Sequence, residues 1–338
     1  MAYVMMSENA MTFEEFLAEW RGESPVITVR TSGSTGTPKT ITLDKEFVRD
    51  SGRRTNSFFN ITSGSRLHSC VGAQFIGGKM MAVRSGLAGC RFTWEMPSNT
   101  PLSGVSHDEV IDLLAVVPSQ MLHILAHLEE MPTINAIIIG GSAIHPQLRE
   151  RIIASGLNAY ETYGMTETAS HIALRKIKEG EEWFMPLDGI KVSLDGRDCL
   201  VICFDRGERI ITNDLAIING DGGFKILGRY DNVIVTGGKK VNPEDVERRI
   251  ASLMEGSFII TSRPDEKWGE RIILKIEKTV NGENVKERRE IGDTGKDKLD
   301  CKAELLKLLK TVLEPHEVPK EIEWVERLER TPNGKLKR

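Results

Sequence analysis

Apolar positions along the 338-residue chain switch between two rhythms. Thr12-Phe-Glu-Glu15 has the spacing of a capping box, in which a hydroxyl and a carboxylate each satisfy an amide of a helix's first turn. It predicts an amphipathic helix through Trp20. The apolar run Val26–Arg30 reads as a strand, and Asp44 as the N-cap of a helix to Phe58. Buried-strand patterns then alternate with helical ones. Leu113–Val117 precedes a helix Pro118–Leu128, Ala136–Ile139 precedes a helix opening near Pro146, and Asn158–Thr162 makes a further strand. Proline suits the first helical turn, where no amide is needed. This alternation predicts an α/β fold with a largely parallel sheet and helices on its faces.

The texture changes near Gly189. Apolar runs at 191–194 and 200–203 flank Asp195-Gly196, a hairpin signal, and short strands continue to Leu227. The pattern predicts a small antiparallel β subdomain. Beyond Arg229 come a Gly237-Gly238 hairpin, a helix capped by Asn242 and running to Met254, and strands Phe258–Thr261 and Arg271–Ile276. The charged segment 278–298 reads as a solvated loop. A helix Cys301–Leu313 and a basic tail end the chain. The organisation expected is an N-terminal domain over 1–228 and a smaller α+β domain over 229–338.

Composition narrows the classes. Forty per cent apolar and 28% charged residues fit a soluble globular protein, and a net charge of −4 argues against a nucleic-acid binder. Five scattered cysteines complete no zinc motif; Cys199 and Cys203 read as small hydrophobes of one strand. With no apolar run long enough to span a bilayer and no signal-peptide pattern, the expected compartment is the cytoplasm.

One loop stands out chemically. Thr31, Ser32, Gly33, Ser34, Thr35, Gly36 and Lys39 follow the Val26–Arg30 strand directly. Glycines admit backbone amides close to a ligand, and consecutive amides with hydroxyls and a lysine make an anion cradle. Pro38 stands where a Walker A loop needs glycine, so this is a different grip on a polyphosphate. By itself such a loop also reads as a flexible turn.

Three further segments change that reading: Tyr163-Gly-Met-Thr-Glu167, Gly228-Arg-Tyr-Asp231 with Val235-Thr-Gly-Gly-Lys-Lys240, and Pro332-Asn-Gly-Lys335. Together and in order, the four resemble the core motifs of the acyl-adenylate-forming (AMP-binding) superfamily, acyl-CoA synthetase type. The resemblance runs from about Thr31 to the C-terminus. It implies ATP, Mg²⁺ as metal cofactor, coenzyme A as co-substrate, and a carboxylic acid converted to an acyl-AMP and then a thioester. It assigns the 31–39 loop, with Lys39, to the phosphates. Gly140, Gly141 and Ser142 line adenine, Tyr163 and Gly164 carry the stacking ring, Thr166 meets the α-phosphate, and Glu167 holds the metal. Asp214 and Arg229 hold the ribose. Asp231 is the hinge of a mobile C-terminal domain, Lys335 reaches the reacting carboxylate, and Gly237, Gly238 and Lys239 face coenzyme A in a second pose. All five charged residues of the set, Lys39, Glu167, Asp214, Arg229 and Lys335, are present, which disfavours a catalytically silent adenylate-binding protein.

The chain is short for this superfamily, and its middle resembles the compact acyl-CoA ligases of menaquinone biosynthesis, which use o-succinylbenzoate. Phe75 stands where those ligases have histidine, and Arg84 falls on their basic position. Arg84 or Lys79, taken to share one helix face, offers a cation for a second carboxylate. Ser119 beside Gln120 resembles their pocket wall, and His171 is placed against the acyl group. A ligase for another aromatic or small acid, and an adenylation domain loading a carrier protein, stay open. The chain is compatible with a homodimer.

Overall fold

The computed structural model describes residues 11–30, 39–254, 256–278, 295–330 and 336, with backbone alone over 295–301. The phosphate-loop residues Thr31, Ser32, Gly33, Ser34, Thr35 and Gly36, and the terminal Lys335, lie outside the described residues.

The chain divides into two compact units. The first comprises 1–194, 201–212 and 218–225, and the second 195–200, 213–217 and 226–338. In the first, α1 (Phe13–Arg21) starts at the expected capping box: Glu15 N donates to Thr12 Oγ1 at 3.1 Å, and Thr12 N to Glu15 Oε2 at 2.7 Å. Strands β1 (Val26–Arg30) and β2 (Thr40–Asp44) pair antiparallel. Asp44 Oδ1 accepts from Phe47 N at 2.9 Å and opens α2 (Lys45–Phe58). Lys45 Nζ donates to Glu19 O and Gly22 O at 2.9 and 2.7 Å, so the carbonyls that end α1 meet a cation.

The main sheet is built from β3 (Arg66–Ser69), β4 (Arg91–Trp94), β6 (Leu113–Val116), β8 (Ile137–Ile139), β9 (Ala159–Met165), β10 (Ser170–Lys176) and β11 (Met185–Pro186); β5 (Val110–Ile111) and β7 (Thr133–Ile134) pair separately. Its order is β11-β10-β9-β8-β6-β3-β4. The run from β9 to β4 is parallel; β10 is antiparallel to β9, and β11 is antiparallel to β10. Helices α3 (Ile76–Ala88), α4 (Pro118–Ala126) and α5 (Pro146–Ser155) follow β3, β6 and β8. Leu114, Val116, Ile137, Ile139, Ile152 and Ala159 form one apolar core between sheet and helices. Each fully buried aliphatic side chain contributes roughly 1.5–3 kcal/mol.

Strands β12 (Ile190–Leu194), β13 (Cys199–Phe204), β14 (Arg209–Ile218) and β15 (Phe224–Arg229) follow in chain order in a four-stranded sheet. The left-handed residue of the first turn is Asp198, with φ of 62°, and not Gly196. Asp195 fastens that turn by accepting from the amides of Arg197 and Cys199 at 2.8 and 3.0 Å.

In the second unit, β16 (Ile234–Thr236) and β17 (Lys239–Val241) form a hairpin. Gly237 and Gly238 have φ of 56° and 77°, the mirror-image turn that matches strand twist and that side chains resist. Helix α6 (Pro243–Ile250) is capped by Asn242; β18 (Phe258–Asp265) and β19 (Gly269–Glu277) pair antiparallel; α7 spans Gly295–Leu309. Helices α4 and α6 end earlier than the sequence predicts, and α7 starts and ends earlier, beginning inside the segment expected to be a loop. The sequence reading missed β20 (Glu321–Val325), parallel to β19, whose Val318-to-Val325 stretch mixes apolar and acidic residues. Val246, Ile250, Ile260, Leu274, Leu309 and Ile322 make this unit's core.

Candidate active site

The connections from β3 lead to β4 on one side, and then across to β6, β8 and β9 on the other. In open α/β sheets, ligands bind where that reversal opens a crevice at the carboxyl ends of the strands. The sequence-predicted residues of the first unit collect at these ends. Phe75 and α3 follow β3, Ser119 follows β6, Gly140–Ser142 follow β8, and the Tyr163 motif ends β9.

The Tyr163 motif lies inside a strand, not after one: β9 continues through Met165. The Tyr163 ring packs against Phe224 and Phe184, at centroid distances of 5.1 and 5.9 Å. Gly164 pairs with His171 across β9 and β10, and a Cβ at Gly164 would stand 2.2 Å from Ser170 O and 2.5 Å from His171 Cα. Only glycine tolerates that approach. Thr166 and Glu167 then sit on a single 3₁₀ turn, with the Glu167 side chain exposed. Ala169 and Ser170 follow with φ of 49° and 83°, both left-handed without being glycine. Such strain persists only when its surroundings fix it. Here Ser51 Oγ donates to Ala169 O at 2.7 Å, and Thr168 Oγ1 to Ser170 O at 2.6 Å.

Glu161, two residues before Tyr163, anchors the adjoining glycine loop. Its Oε2 lies 2.5 Å from Arg175 Nη2 and 3.6 Å from Arg149 Nη1, and its Oε1 accepts from Ile144 N at 3.2 Å. Gly141 and Ser142 are exposed above it. Ser119 is exposed and lines a cleft of about 320 Å³ with Ala143 and His145. Gln120 is structural: buried, it donates from Nε2 to Cys70 O and Ser98 O at 3.0 and 3.2 Å.

Behind Gly164 lies a buried basic set. Arg84 is 0% exposed. Its Nη2 stands 3.5 Å from His171 Nδ1, its Nη1 3.5 Å from Met81 Sδ, and its Nε is buried without a hydrogen-bond partner. Thr55 Oγ1 lies 2.9 Å from His171 Nε2 and donates to Ser51 O at 3.3 Å. The threonine oxygen therefore accepts from Nε2–H, and Nδ1 offers its lone pair to Arg84. Burial, and then the Arg84 charge, hold the His171 pKa well below the ordinary histidine value. Burial draws the Arg84 guanidinium down to about 9, which leaves it charged at neutral pH. His171 is thus a buried strand residue rather than a loop histidine.

Lys79 does not join this set. Five residues from Arg84, it emerges about 140° around the helix. Its Nζ lies 4.3 Å above the Phe16 ring, and donates to Met11 Sδ. The expectation that Lys79 and Arg84 share a face fails on that geometry. Phe75 is half-buried at the N-cap of α3, where it makes no side-chain capping bond.

In the second unit, Arg229 brings Asp214 and Asp231 together, at Nη1–Oδ1 3.1 Å and Nη2–Oδ2 2.7 Å. Asn213 donates to Asp231 Oδ1 at 3.0 Å and accepts from Arg197 at 2.9 Å. Arg197 in turn stacks over Tyr230 at 5.2 Å. No sequence signal singled out Asn213 or Arg197 for this. Gly237, Gly238 and Lys239 are exposed on their hairpin, and Lys39 is exposed before β2.

The family model described as "AMP-binding enzyme" matches residues 7–193, more than half the chain. The chain belongs to this family. It is 24% identical over 281 residues to a 2-succinylbenzoate–CoA ligase of Salmonella typhimurium, covering 78% of this chain and 60% of that relative. The chain thus spans about 60% of the length of the first curated relatives it matches. Among solved structures it is similar to an acyl-CoA synthetase (AMP-forming)/AMP-acid ligase II-like protein from Dyadobacter fermentans, with 29% identity, TM-score 0.60, and coverage of 95% and 90% of the two chains. It shares the fold of the Bacillus subtilis o-succinylbenzoate coenzyme A synthetase in complex with ATP and magnesium ion, at 20% identity, TM-score 0.72, and coverage of 92% and 68%. Among the described residues no helix is long and apolar enough to cross a membrane.

Proposed function

We propose that this chain is an acid–thiol ligase that adenylates a dicarboxylic aromatic acid, o-succinylbenzoate, and passes the acyl group to coenzyme A. The observation that carries the reading is Arg84: a fully buried guanidinium with no carboxylate among its contacts with the described residues, beside a neutral histidine and behind the Tyr163 motif. A buried charge without a counter-ion is costly, so such a site suits an anion that arrives with the ligand. A substrate with two carboxylates has one to react and one to be held. Arg84 takes the second, and His171, held neutral, accepts a hydrogen bond from Arg84 and keeps the guanidinium oriented. The likeness to the Salmonella ligase supports the same acid.

The rest of the mechanism is assigned residue by residue. The reacting carboxylate oxygen attacks the α-phosphorus of ATP, and the bond to pyrophosphate breaks. The 31–39 loop with Lys39 holds the phosphates, Gly140–Ser142 and Tyr163 hold the base, and Thr166 meets the α-phosphate. The exposed Glu167 carboxylate, on its locked turn, is a hard oxygen donor that fits Mg²⁺, which supplies charge neutralisation at the phosphates when bound. Asp214 and Arg229 take the ribose. Domains 1–228 and 229–338 alternate about Asp231, so that Lys335 serves adenylation and Gly237, Gly238 and Lys239 serve the thiol step. There the coenzyme A sulfur attacks the acyl carbon and AMP leaves. An ATP–pyrophosphate exchange panel of free acids tests this reading. Strong exchange with o-succinylbenzoate is expected; exchange only with monocarboxylates would reject the substrate.

A further inference from the structure

At the far edge of the main sheet, the carboxyl ends of β3 and β4 bring together three side chains the reaction does not use. They are His68 on β3, Cys70 just beyond it, and Glu95 just beyond β4. The hydrogen-bond network fixes the imidazole. Thr93 Oγ1 donates to Leu67 O at 3.4 Å, so its oxygen accepts from His68 Nδ1 at 2.8 Å. With Nδ1–H donating to Thr93, the neutral imidazole keeps its lone pair on Nε2. That Nε2 is buried with no hydrogen-bond partner, on a side chain only 4% exposed. It faces Glu95 Oε2 at 3.8 Å, too far for a hydrogen bond. In that tautomer the imidazole lone pair faces the carboxylate across a gap, with the Cys70 thiol as the donor beside Glu95. Cys70 Sγ closes the triangle: one donor atom from each of the three residues lies within 4.8 Å of the others.

We propose that His68, Cys70 and Glu95 supply three donors to a site for one borderline-soft divalent cation, Zn²⁺ by chemistry, with its fourth position left to water. Mixed nitrogen, sulfur and oxygen donors suit zinc, whereas magnesium and calcium take oxygen sets. An ion placed among the three donors would sit about 2.0–2.3 Å from each, so the triangle closes by a modest inward movement. The surroundings are those of a supported site. The far imidazole nitrogen is held by Thr93, the kind of outer contact that orients a histidine ligand. The Leu102 amide donates to both Glu95 oxygens at 3.0 and 3.1 Å. Gln120 bridges the Cys70 and Ser98 carbonyls and ties the same segment to α4. Binding displaces the Cys70 thiol proton to solvent and leaves a thiolate on the metal. The ion would pin the 95–102 segment to the end of the sheet.

The test uses the full chain, reduced and stripped with chelator, with Co²⁺ as probe. A thiolate-to-cobalt charge-transfer band saturating at one equivalent is expected, displaced by Zn²⁺, which also raises the melting temperature. Cys70→Ser should abolish the band. A chain carrying Cys90→Ser, Cys199→Ser, Cys203→Ser and Cys301→Ser together should keep it. Thr93→Val, which leaves all three donors in place, should weaken Co²⁺ binding about tenfold or more through loss of the imidazole's support. If Cys70→Ser does not fold, the fourfold variant and Thr93→Val decide. No band in the native chain, a band lost from the fourfold variant, or unchanged affinity in Thr93→Val would each overturn the site.

Discussion

Glu161 and Arg84 are both buried and both charged, yet the fold treats them oppositely. Glu161 has two arginines and a backbone amide around its carboxylate, so its charge is met within the protein, although Arg175 Nε and Arg149 Nη1 keep no hydrogen-bond partner. Arg84 has a thioether, a neutral imidazole and an orphaned Nε. The first arrangement is architecture: it fixes the glycine loop against β9. In the proposed function, the second is completed by the ligand's carboxylate. A buried charge that the protein satisfies by itself speaks of folding, and one that it does not satisfy speaks of a ligand.

The contrast can be broken most forcefully at Glu161. Glu161→Ala strands Arg175 and Arg149, and should destabilise the chain by about 4 kcal/mol in denaturant titrations. A loss below about 1 kcal/mol would show that the network is dispensable. Glu167→Gln comes next: the turn should stay folded while adenylation falls about 10²- to 10³-fold, read as pyrophosphate exchange. Arg84→Met should do the reverse of Glu161→Ala. With no ligand present, removing an uncompensated charge in favour of an apolar side chain should leave stability unchanged or raise it by about 1 kcal/mol. A large loss would mean that Arg84 is structural after all.

Lys79 sharpens the same comparison with the smallest effect. It too is buried without a carboxylate in contact among the described residues, but its cation lies over an aromatic face. Burial lowers its pKa to about 8, against some opposing attraction from Glu19. Below pH 8 both folded and unfolded chains hold the proton, and the burial penalty is fully present. Between pH 8 and 10.5 the folded chain sheds it first, so stability relative to Lys79→Met should rise with pH across that window. A flat difference between the two proteins would mean that the ammonium stays solvated.

Much of this was legible in the sequence where one local rule dominated. The Thr12–Glu15 box, the Asp44 cap, the Gly237-Gly238 turn and the strand–helix alternation are decided within a few residues, and the fold repeats them. Reading failed where distant contacts decide. β20 is only five residues long, and its polar–apolar alternation Glu321-Ile-Glu-Trp324 follows a charged stretch; its place in the sheet is set by pairing with β19. Gly196 looked like the turn residue, but Asp195's hold on two amides moves the left-handed position to Asp198. The sequence singled out Arg84 and His171 separately, yet their contact joins α3 to β10 across 87 positions and has no local signature. Helical spacing alone would have separated Lys79 from Arg84.

The most direct measurement compares two acids in one variant. Pyrophosphate exchange is followed for o-succinylbenzoate and for its analogue lacking the non-reacting carboxylate, in the native chain and in Arg84→Gln. The account predicts that KM for the dicarboxylate rises about 10- to 100-fold in the variant, the worth of a lost charge-assisted contact, while the analogue is handled almost as before. Equal losses for both acids, or none for either, would contradict it.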